Sequence, residues 1–164
     1  MIRIVEDDLA NLPVAAVVRA ADEYLAPVGP QSAALDARGG DRLARVLAAQ
    51  APLEIGSAVI TQAGDLAAEF VLHVIVQGET RQASRDTVHK ALISAWHRAE
   101  AWQLGAVGAA LGGLALPLEE SALLLVETFQ DRPGDLVFPA DLYVVIASSG
   151  ERSAIEPFLG NGSR

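Results

Sequence analysis

Residues 13–20 read Pro-Val-Ala-Ala-Val-Val-Arg-Ala, an almost unbroken apolar run. A run without polar alternation suits a strand buried on both faces, and such strands belong to parallel sheets covered by helices on each side. The rest of the chain fits that frame. Ile2–Val5, Gly56–Thr61, Phe70–Val76, Gly105–Leu111 and Leu142–Ala147 read as further strands. Between Ser84 and Trp102, Val88, Leu92, Ala95, Trp96 and Ala99 recur at three- and four-residue intervals and give one apolar stripe, the mark of a helix. Pro117 followed by Glu119 and Glu120 is a helix start, because proline lacks the amide that would go unpaired and acids suit the positive dipole end. That helix is expected to run to Gln130. Residues 21–40, rich in Gly and Pro, read as a loop with a short helix near Ser32–Ala37. Asp41–Gln50 reads as a separate helix, and Arg152–Leu159 as a last short one.

Strands that alternate with helices predict a three-layer α/β/α fold around a mixed, mostly parallel sheet. The 164 residues suit one domain, expected over residues 1–160, with 161–164 as a frayed tail. Ligands in such sheets lie outside the carboxyl ends of the strands. That points to the loops after Val5, Ala20 and Leu111.

Composition narrows the function. The formal charge is −9, from 12 basic and 21 acidic side chains. Such a surface repels nucleic-acid backbones, whose binding depends on Lys and Arg displacing counterions. Cysteine is absent, which excludes disulfides and thiolate chemistry and fits a reducing compartment. The N-terminus carries no signal-peptide pattern, and the uncharged stretch from Leu104 to Leu118 is shorter than the roughly 20 residues a spanning helix needs. The expectation is a cytoplasmic protein without membrane or nucleic-acid partners. His89 and His97 share a helix face but have no third ligand near in sequence, so no metal is expected. His73 lies in a strand and reads as a hydrogen-bonded core histidine.

The three loops carry a resemblance. Ile-Arg-Ile-Val-Glu-Asp-Asp-Leu at 2–9 resembles the first strand of macro domains, which ends in Gly-Asp-Ile; Asp8 falls on the aspartate and Leu9 follows it. Val-Val-Arg-Ala-Ala-Asp-Glu-Tyr-Leu at 17–25 is similar to Val-Asn-Ala-Ala-Asn-x-x-Leu, with Arg19 and Asp22 in place of asparagines. Residues 28–35 stand where the family has a glycine-rich run and keep Gly29 and Ala34. Gly-Ser-Ala-Val-Ile-Thr at 56–61 and Glu-Phe-Val-Leu-His-Val at 69–74 resemble two later strands. Ala-Leu-Gly-Gly-Leu-Ala-Leu-Pro at 110–117 takes the place of the phosphate-cradling loop, keeping Gly112 and Pro117. The resemblance covers Ile2 to about Leu159.

It implies a binder of ADP-ribose or a related nucleotide. Asp8 would accept from the adenine amino group; alternatively it caps the turn after the first strand. Ala110, Leu111, Gly112, Gly113 and Leu114 would hold the diphosphate on backbone amides; alternatively the glycines serve a tight turn. Asp22 and Ser32 would meet the distal ribose, and Gly29 is a further ligand-binding candidate. Hydrolytic relatives place an asparagine and an aspartate where Asp22 and Ser32 stand ten positions apart. Asp22 is the candidate base, or else a loop carboxylate or N-cap, and Ser32 has no base of its own. The reading therefore leans away from an enzyme and assigns no cofactor. The alternative is a domain that has lost the ligand and serves as a structural or interaction unit, with leucines turning the cleft apolar and self-association as one use of it.

Overall fold

The computed structural model describes residues 1–49 and 52–159. The expected end of a helix at Gln50 and the frayed tail at 161–164 lie outside the described residues. The strands are β1 (Ile2–Glu6), β2 (Ala16–Asp22), β3 (Ala58–Gln62), β4 (Phe70–Gln77), β5 (Ala106–Ala110) and β6 (Asp141–Ile146). They form one six-stranded sheet in the order β1-β6-β5-β2-β4-β3. Every pairing is parallel except β3 with β4, which is antiparallel. The helices are α1 (Pro30–Ala48), α2 (Arg85–Ala101), α3 (Leu118–Gln130) and α4 (Ser149–Ile155). No helix among the described residues is long and apolar enough to cross a membrane.

Alternation along the central strands sorts the layers. Val18 and Ala20 of β2 and Leu72, Val74 and Val76 of β4 join the large core under α2, α3 and α4. Val17 of β2 and Val71 of β4 point the other way and meet Leu35 and Leu43 of α1. The N-terminus of α2 is set by a capping box: the Thr87 amide donates to the Ser84 hydroxyl at 3.2 Å, and the Ser84 amide donates to Thr87 Oγ1 at 2.9 Å. Trp96, fully buried, donates from Nε1 to Thr128 Oγ1 at 2.9 Å and meets Phe129 edge-on, which ties α2 to α3.

Two expectations change. The short helix expected near Ser32–Ala37 is longer and begins at Pro30; it meets the helix expected from Asp41 at Gly40, whose φ of +69° and ψ of −167° are not helical, so α1 is two helices joined across a kink. The bend survives because the turn at 64–65 presses against it: the Asp65 amide donates to Gly39 O at 3.0 Å. Pro117 is the N-cap of α3 and not its first helical residue. Leu9–Asn11 also forms a 3-10 turn that no periodicity announced.

Candidate functional site

The ladder between β2 and β5 has only two partner pairs, Ala16 with Val107 and Val17 with Gly108. Beyond them the strands part. β5 continues along β6 as far as Ala110 with Val145, and β2 continues along β4. The crevice lies at the carboxyl ends of the strands, where open α/β sheets take ligands. Here a cavity of about 570 Å³ is lined by Asp8, Leu9, Ser32, Arg38, Ala110 and Gly113, among others.

Three segments wall it. The first follows β1. Asp8 caps the 3-10 turn, its Oδ1 accepting from the Ala10 amide at 3.0 Å. Its Oδ2 accepts from Arg38 Nη1 at 2.7 Å, while Arg38 Nη2 donates to Asn11 Oδ1 at 2.6 Å. The second wall is the start of α1. Gly29 is its N-cap with φ +89°, a conformation that suits glycine, and Pro30 opens the helix. Among the described residues the amides of Gln31 and Ser32 have no protein acceptor, as befits a first helical turn. The third wall is the loop after β5. The Gly113 amide closes a turn onto Ala110 O at 3.0 Å, while those of Gly112 and Leu114 donate to no protein group among the described residues. Gln31 reaches across to this loop: a Cβ on Gly112 would stand 3.0 Å from its Nε2.

The structure thus brings Asp8, Leu9, Ser32, Ala110 and Gly113 to one cavity. It sends the others elsewhere. Leu111 and Leu114 are fully buried in the core under α3, so they do not turn the cleft apolar. Gly112 packs behind Gln31. Asp22 is not on the cavity wall, and its Oδ1 accepts from the amides of Tyr24 at 2.8 Å and Ala26 at 2.9 Å, stitching the β2–α1 loop. Sequence reasoning missed Asp7, Gln31 and Arg38, all of which line the cavity. The pattern Asp-Asp-Leu at 7–9 was a signal for Asp7; nothing local pointed to Arg38, whose partner lies thirty residues away.

Arg19 does not face Asp22. It points to the α1 side of β2, fully buried, and its Nε and Nη2 donate to the two carboxylate oxygens of Asp36 at 2.6 and 2.8 Å. Nη2 also donates to Leu25 O at 2.7 Å, and Nη1 lies 3.2 Å from His73 Nδ1 on the neighbouring strand. A guanidinium has only donors, so Nδ1 must accept and the ring proton sits on Nε2. Nε2 then donates to Thr61 Oγ1 at 2.7 Å, and that hydroxyl donates to Gln62 O at 3.1 Å. No buried side-chain polar atom among the described residues is left without a partner. Burial, and then the Arg19 charge, pull the His73 pKa from 6.5 to about 3, so the ring is neutral at physiological pH. The relay pins α1 and the β2–α1 loop to the sheet directly behind the cavity. On the opposite face, His89 and His97 line a separate crevice between α2 and α3.

Comparison with known proteins agrees with this geometry. A macro domain family model matches residues 18–114. An uncharacterized protein of Mycobacterium tuberculosis is 31% identical over 135 residues, covering 79% of this chain and 37% of that protein. An uncharacterized protein of Thermotoga maritima is 31% identical over 112 residues, covering 65% of this chain and 19% of that protein. The chain therefore spans well under half the length of these relatives. Among solved structures, an Oceanobacillus iheyensis macrodomain carrying an Asp-to-Ala substitution superposes with a TM-score of 0.79 at 18% identity, covering 94% of this chain and 88% of that one. A Trypanosoma brucei macrodomain in complex with ADP-ribose gives a TM-score of 0.77 at 20% identity, covering 97% and 69%. On the family match, which covers more than half of its residues, this chain belongs to the macro domain family.

Proposed function

We propose that residues 1–160 form one binding module for ADP-ribose or a closely related nucleotide, and that the module does not turn its ligand over. The observation that carries the reading is the unequal chemistry of the cavity. One end offers a carboxylate, Asp8, able to accept from an amino group on a base. The other offers unpaired amides at the start of α1 and in the loop after β5, suited to phosphate oxygens. The ADP-ribose carried by the Trypanosoma brucei macrodomain has both kinds of group.

The placement of the acids supports the non-catalytic half of this reading. The cavity-lining carboxylates, Asp7 and Asp8, stand at the β1 end. Asp22, at the position of a catalytic asparagine in hydrolytic relatives, spends its carboxylate on loop amides. Ser32 is buried, and among the described residues no carboxylate or imidazole hydrogen-bonds to its hydroxyl.

Isothermal titration calorimetry with ADP-ribose, and with AMP as the simpler ligand, tests the reading. Micromolar binding that weakens in Asp8→Ala is expected; no heat at millimolar ligand sinks it. Release of phosphate from ADP-ribose 1″-phosphate would sink the non-catalytic half alone. A ligand-free interaction domain is the second reading, favoured by one feature: Asp8 already accepts from Arg38, and the Gln31 side chain lies against the 112–113 loop.

A further inference from the structure

We infer that Arg38 is a phosphate-recognition residue, which exchanges Asp8 for a ligand phosphate and thereby frees Asp8 to read the base. This rests on the nucleotide-binding reading above and adds to it a residue and a ligand requirement. Arg38 is the only cationic side chain among the described residues that line the cavity. Two carboxylates, Asp7 and Asp8, line the same space, so an entering phosphate meets net negative charge unless Arg38 turns to it.

The resting pair is built to be exchanged. Both side chains of the Asp8–Arg38 ion pair are 51% exposed. A pair so open to water contributes little to folding, and its partners separate at small cost. The guanidinium uses one terminal nitrogen on Asp8 and the other on Asn11, at 2.7 and 2.6 Å. That two-point fork fits phosphate oxygens as well as it fits this pair of oxygens. Asp8 Oδ1 keeps the Ala10 amide throughout, so its carboxylate stays oriented when Arg38 leaves. A base amino group can then take the place of Arg38 on Oδ2.

Such an exchange makes base reading conditional on phosphate. A nucleoside without phosphate has nothing to offer Arg38 and must compete with it for Asp8. The ligand class is therefore a nucleoside 5′-phosphate or diphosphate, with the bare nucleoside bound more weakly.

The test compares adenosine, AMP and ADP-ribose by calorimetry on the wild type, Arg38→Ala and Arg38→Lys, each checked by thermal melting. In Arg38→Ala, binding of AMP and ADP-ribose should fall by roughly tenfold or more, the loss of a charge-assisted bond. Adenosine binding should stay unchanged or tighten. Arg38→Lys keeps the charge without the fork and should fall between the two. If AMP and adenosine change by the same factor, Arg38 only supports Asp8 and the inference is overturned. If AMP tightens in Arg38→Ala, Arg38 is only a competitor and the inference is again overturned. These outcomes leave the binding module standing. If the wild type takes none of the three ligands, the module reading and this inference fall together.

Discussion

Replacing His73 with glutamine isolates a pH dependence built into the relay behind the cavity. Glutamine keeps one acceptor for Arg19 and one donor for Thr61 but takes no proton. The folded-state pKa of His73 is about 3, below the unfolded value of 6.5. The unfolded chain therefore binds this proton first as pH falls. The histidine's contribution is whole above pH 6.5 and is lost between pH 6.5 and about 3. A single group shifts stability by at most about 1.4 kcal/mol per pH unit, so the loss from pH 6.5 to 4 approaches about 3 kcal/mol. The cause is visible in the geometry: protonating Nδ1 removes the acceptor that Arg19 Nη1 uses and sets two cations 3.2 Å apart. Urea unfolding of both proteins at pH 7, 6, 5 and 4 reads the effect. Carboxylates titrate in both, so the difference between the two stability curves belongs to His73. The wild type should lose about 3 kcal/mol more than His73→Gln over this range. Parallel curves would refute the burial argument and the tautomer assignment with it.

Three further outcomes follow from single contacts. Arg19→Ala strands Asp36 and leaves His73 without its donor, so chemical denaturation should show a loss of about 3–5 kcal/mol, whereas Arg19→Met, which fills the space, should lose less. Gly64→Ala sets a Cβ 2.6 Å from Gly39 O at a φ of +59°; a loss of more than about 1 kcal/mol is expected, and an unchanged melting point would mean the α1 bend is not held by this turn. Asp22→Ala removes two hydrogen bonds to the amides of Tyr24 and Ala26 and should cost about 1–2 kcal/mol in stability, with calorimetric affinity for ADP-ribose within about twofold of the wild type.

The layered α/β/α frame was legible in the sequence because its cues are local. The apolar run at 13–20 could only be a covered strand, and β2 begins within it at Ala16. The stripe from Val88 to Ala99 is helix α2, whose cap is Ser84 and whose C-cap is Trp102. Asp8 and Gly113 become site candidates through the resemblance to macro domains, and both line the cavity, whereas Gly112 does not. The break at Gly39 and Gly40 was legible too, and Gly40 is non-helical in the structure. What holds the two halves of α1 at their kink was not: the turn at 64–65 closes on Gly39 O. The roles of Arg19 and Arg38 were equally hidden. A lone arginine in an apolar strand has no partner within its own segment; Asp36 lies 17 residues on and His73 54 residues on. Periodicity reports which face of an element is apolar, since that depends on residues three or four apart. Which charge meets which across the fold depends on how the sheet and α1 dock, and only the tertiary structure decides that.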